Sequence, residues 1–235
     1  MIKLVVSRFA ENVFWVNHIP ENCSVLIYNK SNKPLSKIKC QIIDLENVGR
    51  ESHTYLHHIV VNYEKLDDIT IFCQGDPFEH NSFFDRTVAE IASKGMESQI
   101  TPMTYQWKHN HPPFEVIFDR RSTFYLETIS RFNMCPLRFL DANIVELARA
   151  YRQVHLDLED ANDLIQHFCN MIKLPDKPDT PTHNFFYSGC FAVKKEAILK
   201  HSKDFYQRCI EVLLQNECHG YMFERIWYKM FGGEA

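Results

Sequence analysis

Polar and ionisable side chains are concentrated in NVGRESHTYLHHIV, residues 47–60. Asn47, Gly49 and Arg50 precede a helical pattern, where the first backbone N–H groups are unpaired and the helix dipole is positive. Such a helix start binds phosphate, and a neighbouring arginine adds paired donors. In the structural alternative, Asn47 caps the helix while Arg50 pairs with Glu51 or faces solvent. Taken alone, the stretch favours that alternative, because short motifs recur by chance.

The same stretch carries His53 and His57, which are four residues apart and share a helix face. Zinc-binding H-E-x-x-H helices use this spacing, but here no glutamate follows the first histidine. We therefore expect packing or surface histidines rather than metal ligands. The segment HNHPP at 109–113 also resembles a metal-binding clip, although its adjacent prolines favour a turn.

A second polar cluster, QGDPFEH at 74–80, follows an apolar segment. A carboxylate just beyond a buried strand is a ligand that Mg²⁺ and Mn²⁺ prefer, together with substrate phosphates. Asp76 is the candidate metal ligand, with Glu79 or His80 as a second group. The alternative is a turn without any ligand, since Gly-Asp-Pro is common in turns. Gln74 stands where a second acid would strengthen the metal interpretation.

A third set of residues lies near the C-terminal end of the sequence. Ser188 and Gly189 precede a predicted strand, where a glycine lets a substrate approach the backbone closely. Glu217 and Glu224 are seven residues apart, so they share a face if one helix carries both. A glutamate near an acceptor hydroxyl can act as a general base. The alternative is a structural ion pair between Glu224 and Arg225, and the sequence leaves both open.

The elements that position these residues follow from hydrophobic periodicity. Four apolar, β-rich segments predict buried strands, at 2–9, 24–30, 38–45 and 68–75. Helical spacing predicts helices at 49–66 and at 83–95, the second ended by Gly95. Because apolar strands alternate with helices, we predict an α/β fold with a mainly parallel central sheet flanked by helices. Ligands of such folds bind beyond the carboxyl ends of the strands, where both N-terminal polar clusters lie.

Beyond residue 80 the pattern is less regular. It predicts one or two helices within 139–172, a strand leading into a helix within 185–201, and two closing helices. The Pro- and Asp-rich segment KLPDKPDTPTH predicts a loop. With no domain boundary in the sequence, we predict a single domain over residues 1–235. Its halves are a nucleotide-binding part at 1–80 and an acceptor part at 81–235, with a flexible loop near 173–184.

Composition limits the classes of partner. The net charge of −4 and the pI near 6.3 provide no general attraction to nucleic acid or anionic membranes. The eight cysteines form no C-x-x-C pair, and several lie in apolar runs, which is typical of reduced, buried thiols in an intracellular protein. The N-terminal apolar run is too short for a signal peptide, and no stretch reaches the length of a membrane span. We therefore expect a soluble, cytoplasmic protein without a nucleic-acid partner.

Four N-terminal segments together resemble an uncharacterised domain family that looks glycosyltransferase-like: VVSRFAENVFWV, LIYNKS, NVGRESHTYLHHIVVNY and TIFCQGDPFEH. The family pattern is V-x-R-[YF]-x-E, then Y-N-K, then N-x-G-R-E-x-x-T-Y-L, then F-x-Q-G-x-P. The C-terminal GCFAVKKEAILKHSKDFYQRCIEVL and GYMFERIWYKMFG are similar to the closing segment of several small GT-A glycosyltransferases. The resemblance covers about 1–80 and 185–232 and leaves the middle unmatched.

This resemblance implies a single GT-A-like, Rossmann-type domain that binds a nucleotide-sugar donor. Glu224, or else Glu217 or Asp119, would be the general base of an inverting transfer, and Asp76 would be catalytic at the metal position. The donor-binding residues implied by position are Ser7, Arg8, Asn47, Gly49, Arg50, Thr54, Gln74, Asp76, Ser188 and Gly189.

The function implied is transfer of a sugar from a UDP- or GDP-linked donor to a hydroxyl of a glycan or glycoconjugate. The D-x-D metal motif of GT-A enzymes would fall at QGDP, which offers one acid instead of two. Asp76 and His80 would then hold Mn²⁺ or Mg²⁺, or Arg8 and Arg50 would neutralise the diphosphate. Two alternatives stay open: a nucleotide-dependent hydrolase or phosphotransferase on the same sheet, and a non-catalytic module that binds nucleotides or sugars.

Overall fold

The computed structural model describes residues 1–35, 37–104, 126–137, 140–159 and 161–232. The segment HNHPP and the candidate base Asp119 lie outside these residues. The strands are β1 (Ile2–Arg8), β2 (Cys23–Asn29), β3 (Gln41–Asp44), β4 (Ile69–Gln74), β5 (Ile100–Pro102), β6 (Glu127–Ser130), β7 (Thr182–Phe185) and β8 (Phe191–Lys194). The helices are α1 (Arg50–Asn62), α2 (Phe84–Lys94), α3 (Ala142–Val154), α4 (Leu164–Ile172), α5 (Lys195–Ile198), α6 (Lys203–Leu213) and α7 (His219–Met230).

The main sheet has six strands in the order β3-β2-β1-β4-β8-β5. The strands β3, β2, β1 and β4 pair in parallel, whereas β8 pairs antiparallel with both β4 and β5. The predicted α/β class is confirmed, but the prediction of a mainly parallel sheet is wrong, because the sheet is mixed. The reason is that β8 inserts between β4 and β5 in the reverse direction, with Phe191 opposite Phe72.

The two central strands are apolar on both faces because each face packs against a separate set of side chains. In β1, Val5 contacts the core that contains Tyr55 and Leu56 of α1, while Leu4 and Val6 contact the core on the other face. All five side chains are below 1% exposed. Burying one such aliphatic side chain stabilises the fold by about 1.5–3 kcal/mol, so this doubly buried strand anchors the sheet.

Most predicted elements are present with adjusted ends. The third strand is shorter than predicted, and its four residues are exposed at the sheet edge. The helix predicted at 49–66 ends as α1 at Asn62 and continues into a 3-10 turn, Tyr63–Lys65. Helix α2 ends where predicted, since Gly95 follows it with φ of +76°. The region 139–172 contains two helices, α3 and α4.

The segment predicted as a flexible loop near 173–184 contains no helix or strand before β7 begins at Thr182. Its Asp176 side chain is buried and forms an ion pair with Arg131. Asp176 Oδ1 also lies 2.8 Å from Lys229 Nζ, in a second ion pair. Because Lys229 belongs to α7, its ion pair with Asp176 ties the segment to the C-terminal helix. Arg131 and Asp176 are both buried, so the loss of either one would be costly.

All eight cysteines are free thiols, and only Cys40 is not fully buried, which agrees with the sequence-based expectation. Burial raises the pKa of Cys23 to about 11, so this thiol remains protonated at neutral pH. None of the helices in the described part of the chain combines the length and apolar character that crossing a bilayer requires.

Candidate functional site

The candidate site lies at one edge of the main sheet. The strands β1, β2, β3 and β4 all end at this edge, and β8 begins there because it runs in the opposite direction. The chain order reverses between β1 and its two neighbours, β2 and β4. In open α/β sheets such a switch point forms the crevice in which ligands bind.

Arg8 ends β1 and is only 4% exposed. Its Nη1 donates to Asn29 Oδ1 at 2.5 Å and to the carbonyl of Lys33 at 3.0 Å, and its Nε donates to the carbonyl of Glu11 at 3.1 Å. The Asn29 side chain in turn donates to Asp44 Oδ1 at 2.9 Å. Arg8 therefore joins the loops that follow β1 and β2, and its guanidinium is directed into the protein.

Glu11 holds the loop after β1. Its Oε2 accepts the backbone N–H groups of Phe9 at 2.7 Å and of Ala10 at 3.0 Å. The same oxygen lies where a side chain at Gly75 would begin, because a Cβ there would be 2.5 Å from it. Trp15 donates its indole N–H to the Gly75 carbonyl at 3.0 Å. The glycine of QGDP is thus required by close packing against this carboxylate.

Lys30 holds the loop before α1. Its Nζ donates to the carbonyls of Val48 and Arg50, both at 2.5 Å, and burial lowers its pKa to about 8. Gly49 and Arg50 have φ of +58° and +53°, a left-handed pair that these bonds fix. Gly49 is the N-cap residue of α1, which has no side-chain cap. The alternative in which Asn47 caps the helix is therefore wrong.

Two predicted donor-binding residues contact each other. Ser7 Oγ and Thr54 Oγ1 are 2.8 Å apart, and both residues are buried. Nearby, burial lowers the pKa of His53 to about 4, which keeps this ring neutral at pH 7. The rings of His53 and His57 are tilted by 43° with centroids 5.9 Å apart, and no third metal-ligating group joins them among the described residues. This arrangement agrees with the expectation of packing histidines.

Beside these loops, side chains from three distant segments meet. Ser188 and Gly189 form a left-handed pair with φ of +74° and +59°. The Ser188 N–H donates to Glu224 Oε1 at 2.9 Å, while Glu224 Oε2 lies 3.1 Å from Arg225 Nη1. A Cβ on Gly189 would lie 3.9 Å from Glu51 Cγ. Glu224 therefore forms its predicted ion pair and also contacts the Ser188 backbone. We call residues 50, 51, 188, 189 and 224 the Glu51–Glu224 cluster.

Glu51 is the residue of this cluster that the sequence-based set of site residues missed. Burial raises the pKa of its carboxyl group and Glu224 raises it further, while Arg50 and Lys30 oppose the rise. A carboxyl group with a raised pKa beside a second acid is typical of general acid–base sites. The sequence signal that could have identified Glu51 is its position directly after Gly49 and Arg50, at the start of α1. Glu217 precedes α7, so no single helix carries both Glu217 and Glu224, and the condition for a shared face is not met.

Arg50 is the cluster's accessible cation, with its side chain 52% exposed. Its guanidinium carbon lies 4.4 Å from the centre of the Tyr221 ring, and Nη1 donates to the Tyr221 hydroxyl at 2.5 Å. The start of α7 packs closely here, because Ser52 Oγ donates to the Gly220 carbonyl at 3.2 Å. The arginine is thus positioned by stacking and remains open to an anionic ligand.

Asp76 follows β4 and caps a 3-10 turn, since its Oδ1 accepts the N–H of Phe78 at 3.2 Å. Gln74 donates to the Asp76 carbonyl at 3.1 Å. These bonds match the turn alternative, and the Asp76 side chain is exposed. Burial lowers the pKa of His80, and the negative charges of Glu224, Glu79 and Asp76 oppose this. Asp76, His80 and Glu224 are therefore close enough to interact electrostatically.

An open groove of about 1040 Å³ passes the ends of β2 and β3. It is lined by Phe9 and by residues 29–34 and 44–47, which include the predicted Asn47. Drug-sized ligands occupy pockets of about 300–1,000 Å³, so the groove has room for a nucleotide. Of the predicted residues, Asn47 faces this groove, and Arg50, Ser188, Gly189 and Glu224 meet in the cluster.

Comparison with known proteins gives one family match. The model of a family described as a protein of unknown function (DUF3431) matches residues 4–106. This range contains the four N-terminal motifs and ends before Ser188 and Glu224. No curated protein and no solved structure matches the chain.

Proposed function

We propose that this protein is a glycosyltransferase that moves a sugar from a UDP- or GDP-linked donor to a hydroxyl of a glycan or glycoconjugate. The observation that carries the proposal is the Glu51–Glu224 cluster, where two carboxylates and an accessible arginine meet at the end of β4. The order β3-β2-β1-β4 supports a GT-A-like, Rossmann-type architecture, because dinucleotide-binding sheets share this order beside their switch point.

The donor would bind across the switch point. The groove at residues 29–34 and 44–47 would take the nucleoside. Arg50, at the positive end of α1, would pair with the diphosphate, which suits its half-exposed guanidinium. The left-handed backbone at Ser188 and Gly189 lets the sugar approach closely, since Gly189 presents no side chain.

Transfer requires that the acceptor hydroxyl lose its proton as its oxygen bonds to the anomeric carbon, while the bond from that carbon to the diphosphate breaks. Glu224 would accept the proton, oriented by the Ser188 N–H, and Glu51 is the neighbouring acid whose raised pKa suits proton exchange. Arg50 would stabilise the charge that develops on the leaving diphosphate.

A divalent cation is compatible with the residues beyond β4. Asp76 supplies one exposed carboxylate and His80 one imidazole, which leaves further positions to donor phosphates and water. Bound Mn²⁺ or Mg²⁺ would neutralise the diphosphate. Because only one acid is present here, Arg50 would neutralise more of the negative charge of the diphosphate than it would in a site with two acids.

One observation favours a second candidate, a module that binds nucleotides or sugars without transfer. Ser7, Arg8 and Thr54 use their polar atoms inside the protein, and Asp76 caps a turn. These residues shape the crevice without supplying reactive groups, which is sufficient for binding.

The first experiment measures binding. UDP, GDP and their sugar conjugates are tested by thermal shift, with and without Mn²⁺, on the wild type, on Arg50→Ala and on Arg149→Ala. Arg149 is a control because it is an exposed arginine of α3 that pairs with Glu146. We expect Tm to rise with one nucleotide series in the wild type and in Arg149→Ala, and to rise less in Arg50→Ala. Stabilisation by none of these compounds would contradict both candidates.

The second experiment separates transfer from binding. Release of free nucleotide from the stabilising donor is followed with glycan acceptors and with water as the acceptor. Turnover that is lost in Glu224→Gln, with donor binding retained, supports the transferase. Binding without turnover, or slow donor hydrolysis that neither Glu224→Gln nor Asp76→Ala changes, supports the binding module.

A further inference from the structure

A second group of ionisable side chains lies away from the proposed donor site, where α3, α4 and α7 meet. His155 follows the last residue of α3, Asp157 lies in the next turn, and His167 belongs to α4. One ligand atom from each of the three lies within 4.8 Å of the other two, and they form the one such group in the described parts of the chain. His167 Nε2 and Asp157 Oδ2 are 3.8 Å apart.

The three groups surround a position that a transition metal would take. Zinc binds imidazole nitrogen and carboxylate oxygen at about 2.0–2.2 Å, which places two ligand atoms of a tetrahedron about 3.4 Å apart. The separation of 3.8 Å between His167 Nε2 and Asp157 Oδ2 exceeds this by a few tenths of an ångström, and the other two separations are within 4.8 Å, so the side chains would close in around a bound ion. Asp157 is 75% exposed, so its side chain has the freedom to make that adjustment.

Local structure holds the first two groups together. The N–H of His155 donates to the carbonyl of Tyr151 at 3.2 Å, and the N–H of Leu158 donates to the carbonyl of His155 at 3.0 Å. These bonds close a turn directly after α3, and the turn carries Asp157 past the His155 ring. His167 approaches from α4, with its ring centre 4.9 Å from that of His155.

Buried partners orient both histidine rings. The Tyr151 hydroxyl lies 2.8 Å from His167 Nδ1 and can donate to Met171 Sδ at 3.6 Å. With that donation, Tyr151 accepts the Nδ1 proton of His167, and Nε2 on the Asp157 side keeps its lone pair. Tyr151 is fully buried, as is usual for groups that hold metal-binding histidines from behind.

His219 orients the other ring. Its Nδ1 lies 2.6 Å from the carbonyl of Val212, which only accepts, so Nδ1 carries the proton and Nε2 carries a lone pair. His155 Nε2 lies 3.0 Å from His219 Nε2 and donates its proton to that lone pair in a hydrogen bond. The Nδ1 of His155 is then the nitrogen with a free lone pair. Both ligand histidines can thus adopt tautomers that leave one ring nitrogen with a lone pair for a metal.

We propose that His155, Asp157 and His167 form a binding site for a first-row divalent cation of the zinc class. Two imidazoles and one carboxylate suit Zn²⁺, Co²⁺ or Fe²⁺ and disfavour Mg²⁺, which prefers oxygen ligands. With three protein ligands, a water molecule completes a tetrahedron on the exposed side.

The site is independent of the proposed donor site. It joins the end of α3 to α4, and its supporting His219 is the first residue of α7, five positions before Glu224. A cation here would stabilise the junction of these helices. It would do so whether or not Asp76 and His80 bind a metal with a nucleotide.

The test is zinc titration of untagged protein, first freed of metal with a chelator, by isothermal calorimetry and thermal shift. We expect one Zn²⁺ per chain and a rise in Tm, no response to Mg²⁺, and at least tenfold weaker binding in Asp157→Asn and His167→Gln. Tyr151→Phe should weaken binding about tenfold through loss of the orienting hydroxyl. Asp157→Asn is the decisive variant, because an exposed turn residue can change without unfolding the core.

Two controls separate this site from others. His18→Gln removes an exposed histidine of a 3-10 turn and should leave zinc affinity unchanged. Asp76→Ala should also leave it unchanged, which distinguishes this site from the nucleotide-linked one. Cobalt substitution should give the intense visible bands of tetrahedral coordination and should lose them in Asp157→Asn. Absence of zinc binding, or equal affinity in the wild type, Asp157→Asn and His167→Gln, would overturn the proposal.

Discussion

Two neighbouring regions at the same sheet edge use polar side chains in opposite ways. In the loops after β1, β2 and β3, Arg8, Glu11 and Lys30 bind backbone groups or amides and are directed into the protein. In the Glu51–Glu224 cluster, two carboxyl groups are close enough to interact electrostatically, beside an accessible arginine. The motif residues of the first region shape the crevice, while the groups able to do chemistry come from segments far apart in sequence.

The difference has an energetic basis. A buried cation is costly unless its donors are satisfied, so Lys30 is tolerated because two carbonyls accept from it. Burial raises the pKa of the half-buried Glu51 and Glu224 raises it further, which favours the neutral form of this carboxyl group. The charged side chains in the loops therefore contribute to structure. In the cluster, by contrast, the negative charge of Glu51 is destabilised, which makes its carboxyl group available for proton exchange.

The largest expected effect breaks the cluster. Glu224→Gln keeps the acceptor for the Ser188 N–H but removes the proton-accepting carboxylate, so turnover with the preferred donor should fall by about 10²–10⁴-fold. Donor affinity should change little. Steady-state kinetics and calorimetry measure the two effects. Glu217→Gln is the matched control, because this exposed glutamate precedes α7; equal losses in both variants would remove Glu224 from its proposed role.

The next effect breaks the loop geometry. Gly49→Ala should lower the free energy of unfolding by about 2 kcal/mol, because a side chain is strained at φ of +58° and its Cβ would lie 2.8 Å from Leu213 Cδ2. Urea denaturation measures the loss. Gly220→Ala is the control at the same junction: its Cβ would meet Arg50 Cδ at 3.4 Å within a helix, so stability should hold or rise. Equal losses in both variants would argue against strain at Gly49.

The third effect is a pH dependence. The folded-state pKa of His53 is about 4, below the ordinary value of 6.5, so between these pH values the unfolded chain binds a proton that the native protein does not. The free energy of unfolding should therefore fall as pH drops from about 6.5 to about 4, by about 1.4 kcal/mol per pH unit for this proton. Urea titrations at several pH values should show a shallower slope in His53→Gln. His18→Gln should keep the wild-type slope.

The smallest expected effect is on nucleotide affinity, when Arg50 loses the hydrogen bond to the Tyr221 hydroxyl. Tyr221→Phe removes the hydroxyl that accepts from Arg50 but keeps the ring over which the guanidinium stacks. Loss of this one hydrogen bond should weaken nucleotide binding about threefold, or about 0.6 kcal/mol. Calorimetry with the stabilising nucleotide measures the change. A loss as large as that of Arg50→Ala would mean that the hydroxyl contacts the ligand directly.

Much of the fold was predictable because its signals are local. The apolar runs of β1, β2 and β4 and the helical spacing of α1 and α2 specify those elements without reference to the rest of the chain. The mixed sheet was not predictable, since β5 and β8 have only three and four residues and their pairing involves strands distant in sequence. A short apolar run carries no information on strand direction.

The site was predictable only in part. The structure brings Arg50, Ser188, Gly189 and Glu224 near one another through Glu51, whereas the partners of Ser7 and Arg8 could not be read from spacing. The contact between Ser7 and Thr54 spans 47 positions, and the contact between Ser188 and Glu224 spans 36. Sequence periodicity indicates which residues share a face of one helix or strand, but it does not indicate which helices and strands contact each other.

The sequence by itself therefore determined β1, β2, β4, α1 and α2, the turn at Gly-Asp-Pro and the glycine that ends α2, because backbone preference and burial act over a few residues. Only the tertiary structure decided that β8 runs antiparallel, that Asn47 does not cap α1, and that Glu51 lies near enough to Glu224 to interact electrostatically. It also brought His155 and Asp157 to His167. These outcomes depend on packing between distant segments, where desolvation and the proximity of charges give a side chain its chemistry.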